Sequence, residues 1–222
     1  MDDTASTRTT AATKMVTTMT HNPLLEQLLY KVRDPSTERA EFRRTLETIG
    51  QHLGMRIAQT LPTRSMSITT CLGKTAKHEP IDEQPVLITI LRAGLPLYTG
   101  LQNAFPEAEA GFLGSMRNEE TLVSTTTYTA LPYLTNKTVI LADTMIATGG
   151  SITDALEHLK PKKPNRIILA GCIASQKAIT HLQQYIPSYD IHIAAIDPHL
   201  NEKGYIVPGL GDAGDRSYGR KI

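Results

Sequence analysis

Four short apolar runs constrain the fold of this chain more than any other feature of its sequence. The runs are residues 86–91, 138–142, 166–174 and 191–196, and helix-like segments at 96–104, 150–159 and 177–185 separate most of them. Continuous apolar runs of this length are typical of strands buried on both faces of a parallel sheet. Strands that alternate with helices through short links indicate an α/β fold with right-handed crossovers. We therefore predict a central, mostly parallel sheet flanked by helices.

Other segments fill in this architecture. Apolar residues recur every three or four positions from Phe42 to Ile57, which predicts an amphipathic helix capped by Ser36 or Thr37 and ended by Leu61-Pro62. Segments 67–72 and 123–129 alternate loosely and predict strands of a lateral β flap. The Gly-rich tail from Asn201 has no periodicity, and a long irregular tail of this kind is usually functional or disordered.

Length and charge narrow the class of protein. A chain of 222 residues suits one domain, which we place at residues 21–222, after a disordered Thr-rich arm at 1–20. The net charge is +1 and we expect no Lys/Arg cluster, so neither nucleic acid nor a membrane is expected as a partner. The two cysteines form no CxxC motif, which favours a reducing, cytoplasmic location.

The stretch from Thr138 to Ser151 carries the clearest sign of chemistry. A buried strand leads to Asp143, then to a small-residue turn with Thr148, Gly149 and Gly150, and then to a helix. Two glycines allow a tight turn of consecutive N–H groups, and the hydroxyls and helix N-terminus favour an anion. A plain strand-to-helix turn capped by Ser151 is the alternative. The acid directly after a buried strand favours a binding site for a phosphate monoester.

Two other phosphate-binding loops are excluded. No GxxxxGK[ST] sequence is present, so the chain has no P-loop. A GxGxxG sequence occurs at residues 209–214, but it follows Pro208 rather than a strand, and we expect no helix after it. We therefore reject a dinucleotide-binding fingerprint there.

The strand, acid and Ala-Thr-Gly-Gly turn resemble the site of type I phosphoribosyltransferases. Three further segments resemble the uracil phosphoribosyltransferases within that class, and the last of them is close to the family's C-terminal signature. They are Ile-Leu-Arg-Ala-Gly-Leu at 90–95, Met-Arg-Asn-Glu-Glu-Thr-Leu at 116–122 and Leu-Asn-Glu-Lys-Gly-Tyr-Ile-Val-Pro-Gly-Leu-Gly-Asp-Ala-Gly-Asp-Arg at 200–216. The resemblance runs from about His21 to the C-terminus. It implies a β flap and a Gly-rich C-terminal hood over a base, and a reaction of uracil with 5-phosphoribosyl 1-diphosphate (PRPP) that yields UMP and pyrophosphate.

The resemblance implies a role for each part of the PRPP site. Asp143 would bind the ribose hydroxyls, and the turn 147–151 would hold the 5-phosphate. Arg92 and Arg117 would meet the diphosphate, which suits the planar guanidinium fork. Asp212 would lie beside the pyrophosphate and its Mg²⁺, through water, so that no protein-only metal site is implied. The implied PRPP-binding residues are Arg92, Arg117, Asp143, Thr144, Met145, Ile146, Ala147, Thr148, Gly149, Gly150, Ser151 and Asp212, with Asp143, Arg92, Arg117 and Asp212 as the catalytic ones.

The C-terminal segment would read the base. Uracil presents an acceptor, a donor and an acceptor, and Gly-rich backbone can supply the matching groups. Cytosine reverses two of the three, so it would leave buried groups unpaired. The implied uracil-binding residues are Tyr205, Ile206, Gly211, Asp212 and Ala213. For Tyr205, ordinary packing is an equal alternative.

Two positions depart from the family's usual pattern. The family commonly has Asp-Pro where this chain has Asp143-Thr144, and it commonly has Gly where this chain has Pro96. We expect these changes to bear on PRPP affinity rather than on the existence of the site. Pro96 is also expected to open the following helix, where its missing N–H costs little.

Three alternatives stay open. An enzyme for xanthine or hypoxanthine would need another base-reading segment, and an RNA-binding attenuator on the same fold would need a basic face. A non-catalytic paralogue that binds UMP or PRPP is supported only by the two departures. The resemblance also implies a homodimer or homotetramer, with GTP as a candidate effector because it activates some relatives.

Overall fold

A seven-stranded sheet forms the centre of the protein. The computed structural model describes residues 16–18, 22–117 and 124–220, without the side chains of Arg117 and Tyr189. The strands are β1 Thr17–Thr18, β2 Met66–Thr69, β3 Thr75–His78, β4 Val86–Leu91, β5 Ala110–Arg117, β6 Ser124–Ala130, β7 Thr138–Ile146, β8 Arg166–Ser175, β9 Ile191–Asp197, β10 His199–Leu200 and β11 Ile206–Val207. The helices are α1 Pro23–Arg33, α2 Arg39–Ala58, α3 Leu95–Ala104, α4 Gly150–Leu159, α5 Gln176–Leu182 and α6 Ala213–Tyr218.

The sheet has the predicted, mostly parallel arrangement. Its strand order is β1-β9-β8-β7-β4-β5-β6, and every pairing is parallel except that of β5 with β6. The four apolar runs are its strands β4, β7, β8 and β9, which confirms the prediction. β7 continues four residues past its predicted end at Ala142, so that Asp143 lies within the strand.

Each central strand sends alternate side chains into one of two cores. From β7, Ile140 and Ala142 pack with α1, α2 and α3, whereas Val139 and Leu141 pack with α4 and α5. Both faces are covered, which explains why these strands read as continuous apolar runs instead of alternating ones. Helices on both faces of a parallel sheet confirm the α/β fold.

Several local predictions are corrected. Neither Ser36 nor Thr37 caps α2: its N-cap is Glu38, with no side-chain cap bond, and the Thr37 hydroxyl donates to the Lys31 carbonyl instead. The two predicted flap strands lie apart. β2 forms a separate hairpin with β3, while β6 is the antiparallel edge of the main sheet. Residue 123 lies outside the described part of the chain.

Several further features of the structure depart from the prediction. Helix α1 and strand β5 were not predicted, and α6 begins at Ala213, within the GxGxxG sequence after which no helix was expected. Lys160, Lys162 and Lys163 lie together in an exposed turn after α4, so the expectation of no Lys/Arg cluster was wrong. This turn precedes β8 and therefore lies at the sheet edge opposite the strand ends that carry Asp143.

The arm predicted at residues 1–20 is only partly described. Thr17 and Thr18 pair with His192 and Ile193 of β9, so the predicted disorder does not extend to these two residues. Residues 1–15, 19 and 20 lie outside the described part. Within residues 16–18, 22–117 and 124–220, no helix has the length and apolarity needed to cross a bilayer.

Helices α2 and α3 pack with their backbones in close approach. A Cβ added at Gly100 would lie 1.8 Å from the Glu47 carbonyl oxygen, and one at Gly50 would lie 2.1 Å from the Leu97 carbonyl oxygen. Both contacts are with backbone, which cannot move aside as a flexible side chain can. The absence of a side chain at Gly50 and Gly100 therefore sets the spacing of the two helices.

We predict that Gly100→Ala destabilises the protein by about 1–3 kcal/mol, because the added methyl forces α3 away from α2. Urea unfolding would measure the change in the free energy of unfolding. Gln102→Ala, on the exposed face of the same helix, is the control and should stay within about 0.5 kcal/mol of wild type. Equal stability of the two variants would contradict the proposed close packing.

Candidate active site

Strand β7 brings an acid to the carboxyl edge of the sheet. Asp143 is buried, with 7% of its surface exposed. Burial raises the pKa of its carboxyl group to about 7, although the backbone N–H groups of Met145 and Thr144 oppose the shift. A carboxyl group with such a pKa is half ionised near neutral pH. Strongly shifted groups at the strand ends of an α/β sheet are typical of functional sites.

The predicted phosphate-binding turn follows directly. Gly149 has a φ of 86°, in the left-handed region that favours glycine, and it is the N-cap of α4. The Ser175 hydroxyl donates to the Ala147 carbonyl over 2.5 Å and so fixes the start of the turn. The cleft over the turn is lined by Ser124, Asp143, Ile146, Ala147, Thr148, Gly149, Gly150, Ser151 and Ile152.

Hydroxyl groups line the mouth of this cleft. The Ser124 and Ser151 hydroxyl oxygens are 2.9 Å apart, which joins the edge strand β6 to the start of α4. Arg117, the last residue of β5, pairs in the sheet with Ser124, so its backbone lies beside the turn. Its side chain and residues Thr121 and Leu122 lie outside the described part. Its contact with a diphosphate therefore stays a prediction.

The loop after β4 lies against the end of β7. The Thr144 hydroxyl, fully buried, donates to the Ala93 carbonyl over 2.7 Å. Arg92, next to Ala93, has a half-exposed side chain whose Nη2 lies 3.4 Å from Oδ1 of Asp215. Pro96 lies in the first turn of α3, as predicted. The structure thus brings Arg92 and Asp143 to neighbouring strand ends.

The C-terminal segment folds over the same edge. Strands β10 and β11 form a small hairpin, and Gly209 and Gly211 then take φ values of 62° and 83°. Asp212 is exposed and caps α6, accepting the N–H of Asp215 over 2.8 Å. The residues predicted to bind the base therefore lie around one turn.

These base-site residues differ in exposure. Tyr205 is 39% exposed, and Gly211 and Asp212 are also exposed. The side chains of Ile206 and Ala213 belong instead to the core. If Ile206 and Ala213 contact a base, they do so mainly through their backbone groups.

Two arginines fasten this segment to the helices. Arg33, the last residue of α1, binds both carboxylate oxygens of Asp197 at 2.7 and 2.8 Å and also donates to the Gly209 carbonyl. The same carboxylate accepts the Gly209 N–H. The Arg216 guanidinium lies 4.1 Å from the centre of the Phe42 ring and donates to the carbonyls of Val32, Asp34 and Leu210. The Gly-rich tail is therefore ordered rather than loose.

Three residues that help to build this site were not predicted from the sequence. Asp215 was quoted within the C-terminal signature but given no role, although its carboxylate contacts Arg92. Ser124 carries no local motif, and only the sheet register places it beside Ser151. Arg33 lies in a helix that was not predicted.

Among the described residues, no group of three or more His, Cys, Asp or Glu side chains could hold a metal ion. Near the strand ends, the exposed carboxylate of Asp212 and the half-exposed one of Asp215 are the neighbours of Arg92. Two acids are fewer ligands than a resident ion needs, so this arrangement suits an ion that arrives on a ligand better than a resident one.

The burial of Asp143 predicts a pH-dependent effect of Asp143→Asn on stability. Below about pH 3 both the folded and the unfolded carboxyl groups are protonated, and the variant should match wild type. Above about pH 7 the wild type carries a desolvated carboxylate, so the variant should be more stable by up to roughly 4 kcal/mol.

Denaturant unfolding of both proteins between about pH 3 and pH 8 would measure this difference. Asp82→Asn, which removes an exposed carboxylate, should follow the wild-type curve throughout. A stability difference for Asp143→Asn that is independent of pH would contradict the raised pKa.

Comparison with known proteins supports one family. A family model described as uracil phosphoribosyltransferase matches residues 19–220. The uracil phosphoribosyltransferase of Clostridioides difficile is 38% identical over 203 residues, covering 91% of this chain and 97% of that protein. That of Lacticaseibacillus paracasei is 37% identical over 205 residues, covering 92% and 98%.

Solved structures agree in fold. The AQ2163 protein from Aquifex aeolicus superposes with a TM-score of 0.86 at 32% identity, covering 94% of this chain and all of that one. A hypoxanthine-guanine phosphoribosyltransferase from Bacillus anthracis, at 13% identity and a TM-score of 0.50 over 70% of this chain and 79% of its own, shares the fold alone. Because the family model and relatives well above 30% identity both span nearly the whole chain, this protein belongs to the uracil phosphoribosyltransferase family.

Proposed function

We propose that this protein transfers the phosphoribosyl group of PRPP to uracil, giving UMP and pyrophosphate in pyrimidine salvage. One observation carries the proposal: four parts of the chain converge at the carboxyl edge of the sheet. They are Asp143, the turn at residues 147–151, the loop after β4 that carries Arg92, and the C-terminal segment. The family of the chain supports the choice of substrates.

The PRPP site follows the end of β7. In this proposal Asp143 binds the ribose hydroxyls, and backbone N–H groups with the hydroxyls of Thr148 and Ser151 hold the 5-phosphate at the start of α4. Arg92 and Arg117 bind the diphosphate. Arg92 is half exposed beside Asp215, so a diphosphate can take over the guanidinium without opening a buried ion pair.

The base site lies on the C-terminal segment. Gly211 and Asp212 are exposed and Ala213 begins α6, so N–H and C=O groups are available to pair with the edge of uracil. Tyr205, partly exposed, can cover one face of the ring. Cytosine would leave two of these backbone groups facing groups of like polarity, which supports strong discrimination between the bases.

Uracil N1 then displaces pyrophosphate at the anomeric carbon through an oxocarbenium-like transition state: the bond from N1 to the anomeric carbon forms, the bond from that carbon to the pyrophosphate oxygen breaks, and the N1 proton passes to solvent or to the departing pyrophosphate. The residues position the two reactants and, with the arginines, stabilise the departing charge. When bound, Mg²⁺ would neutralise part of the pyrophosphate charge, and Asp212 would hold it through water. Position 147 is Ala, so the turn offers no acid as a general base.

The proposal also covers the oligomeric state, the location and the effector of the enzyme. We expect a homodimer or homotetramer in the cytoplasm, with GTP as the effector to test. These expectations rest on family membership alone.

The deciding experiment measures pyrophosphate release from PRPP and Mg²⁺ with uracil, cytosine, hypoxanthine or xanthine, with and without GTP. We expect release with uracil only, together with UMP. Release with a purine would overturn the base assignment. No release with any base would contradict the proposed reaction and favour a non-catalytic role.

We predict that Asp143→Asn lowers turnover about a hundredfold, because it removes a charge placed at the reacting ribose. Steady-state kinetics of UMP formation would measure the loss, and Asp82→Asn is the matched control with an exposed acid. Near-normal turnover would remove Asp143 from this role.

Asp212 needs two variants, because its side chain also caps α6. Asp212→Ala loses both the charge and the cap, whereas Asp212→Asn retains a cap acceptor. We predict that both variants lose activity about a hundredfold or more, while uracil binding is weakened less. An effect limited to the KM for uracil would place Asp212 away from the pyrophosphate.

A further inference from the structure

Thr144 lies where a ligand contact would be expected, yet its hydroxyl faces another part of the protein. The side chain is fully buried beside Asp143, and its hydroxyl donates to the Ala93 carbonyl over 2.7 Å. Ala93 lies in the loop between β4 and α3, directly after Arg92. The bond therefore joins the end of one strand to the loop that follows its neighbour.

The backbone hydrogen bonds of this loop are local, whereas its Arg92 side chain reaches Asp215 in the C-terminal segment. The Gly94 N–H donates to the Ile90 carbonyl over 3.0 Å, and the Leu95 N–H donates to the Arg92 carbonyl over 3.3 Å. Such bonds set the shape of the loop but not its position relative to β7. Two hydroxyl bonds join this region to β7. The Thr89 hydroxyl of β4 donates to the Ala142 carbonyl over 3.1 Å, and the Thr144 hydroxyl, across 51 residues of sequence, is the one that meets the loop itself.

The same loop supports the C-terminal segment. A Cβ added at Gly214 would lie 3.8 Å from Nη2 of Arg92 and 4.0 Å from Cβ of Ala93, so α6 begins in contact with the loop. Asp215 reaches Arg92 from the same turn. The position of the loop thus bears on both halves of the cleft.

We propose that Thr144 is a positioning residue whose hydroxyl sets the distance between Asp143 and Arg92. In the proposed function these two residues bind the ribose and the diphosphate of PRPP, and the inference rests on that function. The backbone N–H of Thr144 also favours the ionised form of the Asp143 carboxyl, so one residue orders both groups. Small errors in such spacing reduce rates strongly.

Thr144→Val tests the hydroxyl, because valine keeps the branched shape and the backbone N–H. We expect kcat/KM for PRPP to fall about tenfold or more, with a smaller change in the KM for uracil. Thr144→Ser keeps a donor and should stay within about threefold of wild type. Should the valine variant fail to fold, Thr144→Ala against Thr144→Ser gives the same contrast.

Thr45→Val is the matched control. The Thr45 hydroxyl is also buried and donates to a carbonyl, that of Glu41 within α2. Each valine variant removes one buried hydroxyl donor, and the Glu41 carbonyl inside α2 keeps the backbone N–H of Thr45 as a donor, so Thr45→Val should lose no more stability than Thr144→Val. Only Thr144→Val should lose activity. Equal activity of Thr144→Val and wild type, or equal loss in Thr144→Val and Thr144→Ser, would overturn the inference.

A second readout needs no catalysis. Amide hydrogen exchange of the ligand-free protein should be faster at Gly94 and Leu95 in Thr144→Val than in wild type or Thr144→Ser. Unchanged exchange there would overturn the positioning role. Wild-type protein that forms no UMP would sink the proposed function, while this exchange measurement would still decide whether Thr144 holds the loop.

Discussion

The ion pair between Arg33 and Asp197 holds the C-terminal half of the cleft to the sheet. The guanidinium makes two short N–H···O contacts, one to each carboxylate oxygen, and the carboxylate is only 6% exposed. A pair this buried gains little net energy, because desolvation offsets much of the attraction, but loss of one partner leaves a costly unpaired charge. Its value is geometric: Gly209 is bonded to both members through its N–H and its carbonyl. A loop with few apolar side chains is thus placed by directional bonds.

The other buried acid of the cleft, Asp143 in β7, differs from Asp197 because no arginine whose side chain is described pairs with it. No basic side chain of the described residues lowers the pKa of the Asp143 carboxyl. Burial raises this pKa, and only backbone N–H groups oppose the rise. The fold therefore carries an energetic penalty at neutral pH that a neutral side chain would remove. Such a penalty persists where the charge is used, and functional sites are where stability and activity are expected to conflict.

The sequence predicted the parts of the structure that depend on local pattern. The strands β4, β7, β8 and β9 and the helices α3, α4 and α5 were found because apolar runs and helical periods are local signals. Helix α1 was missed although Asn22 and Pro23 mark its start, and α6 was missed because its glycine-containing sequence resembles a loop. The cap of α2 was misplaced because the Thr37 hydroxyl turns to Lys31, a contact six residues away.

The candidate site likewise has residues that a local sequence pattern predicts and contacts that it does not. Asp143 and the Gly149 turn could be predicted because strand, acid and turn are consecutive, and Arg92 and Asp212 came from the family's motifs. The hydrogen bonds that connect these segments could not be predicted, since Thr144 contacts Ala93 across 51 residues and Arg92 contacts Asp215 across 123. These contacts depend on the order of the strands in the sheet, which no local sequence pattern contains. For a site assembled from three distant segments, the residues that align the segments therefore matter as much as those that touch the ligand, and a sequence motif names only the second kind.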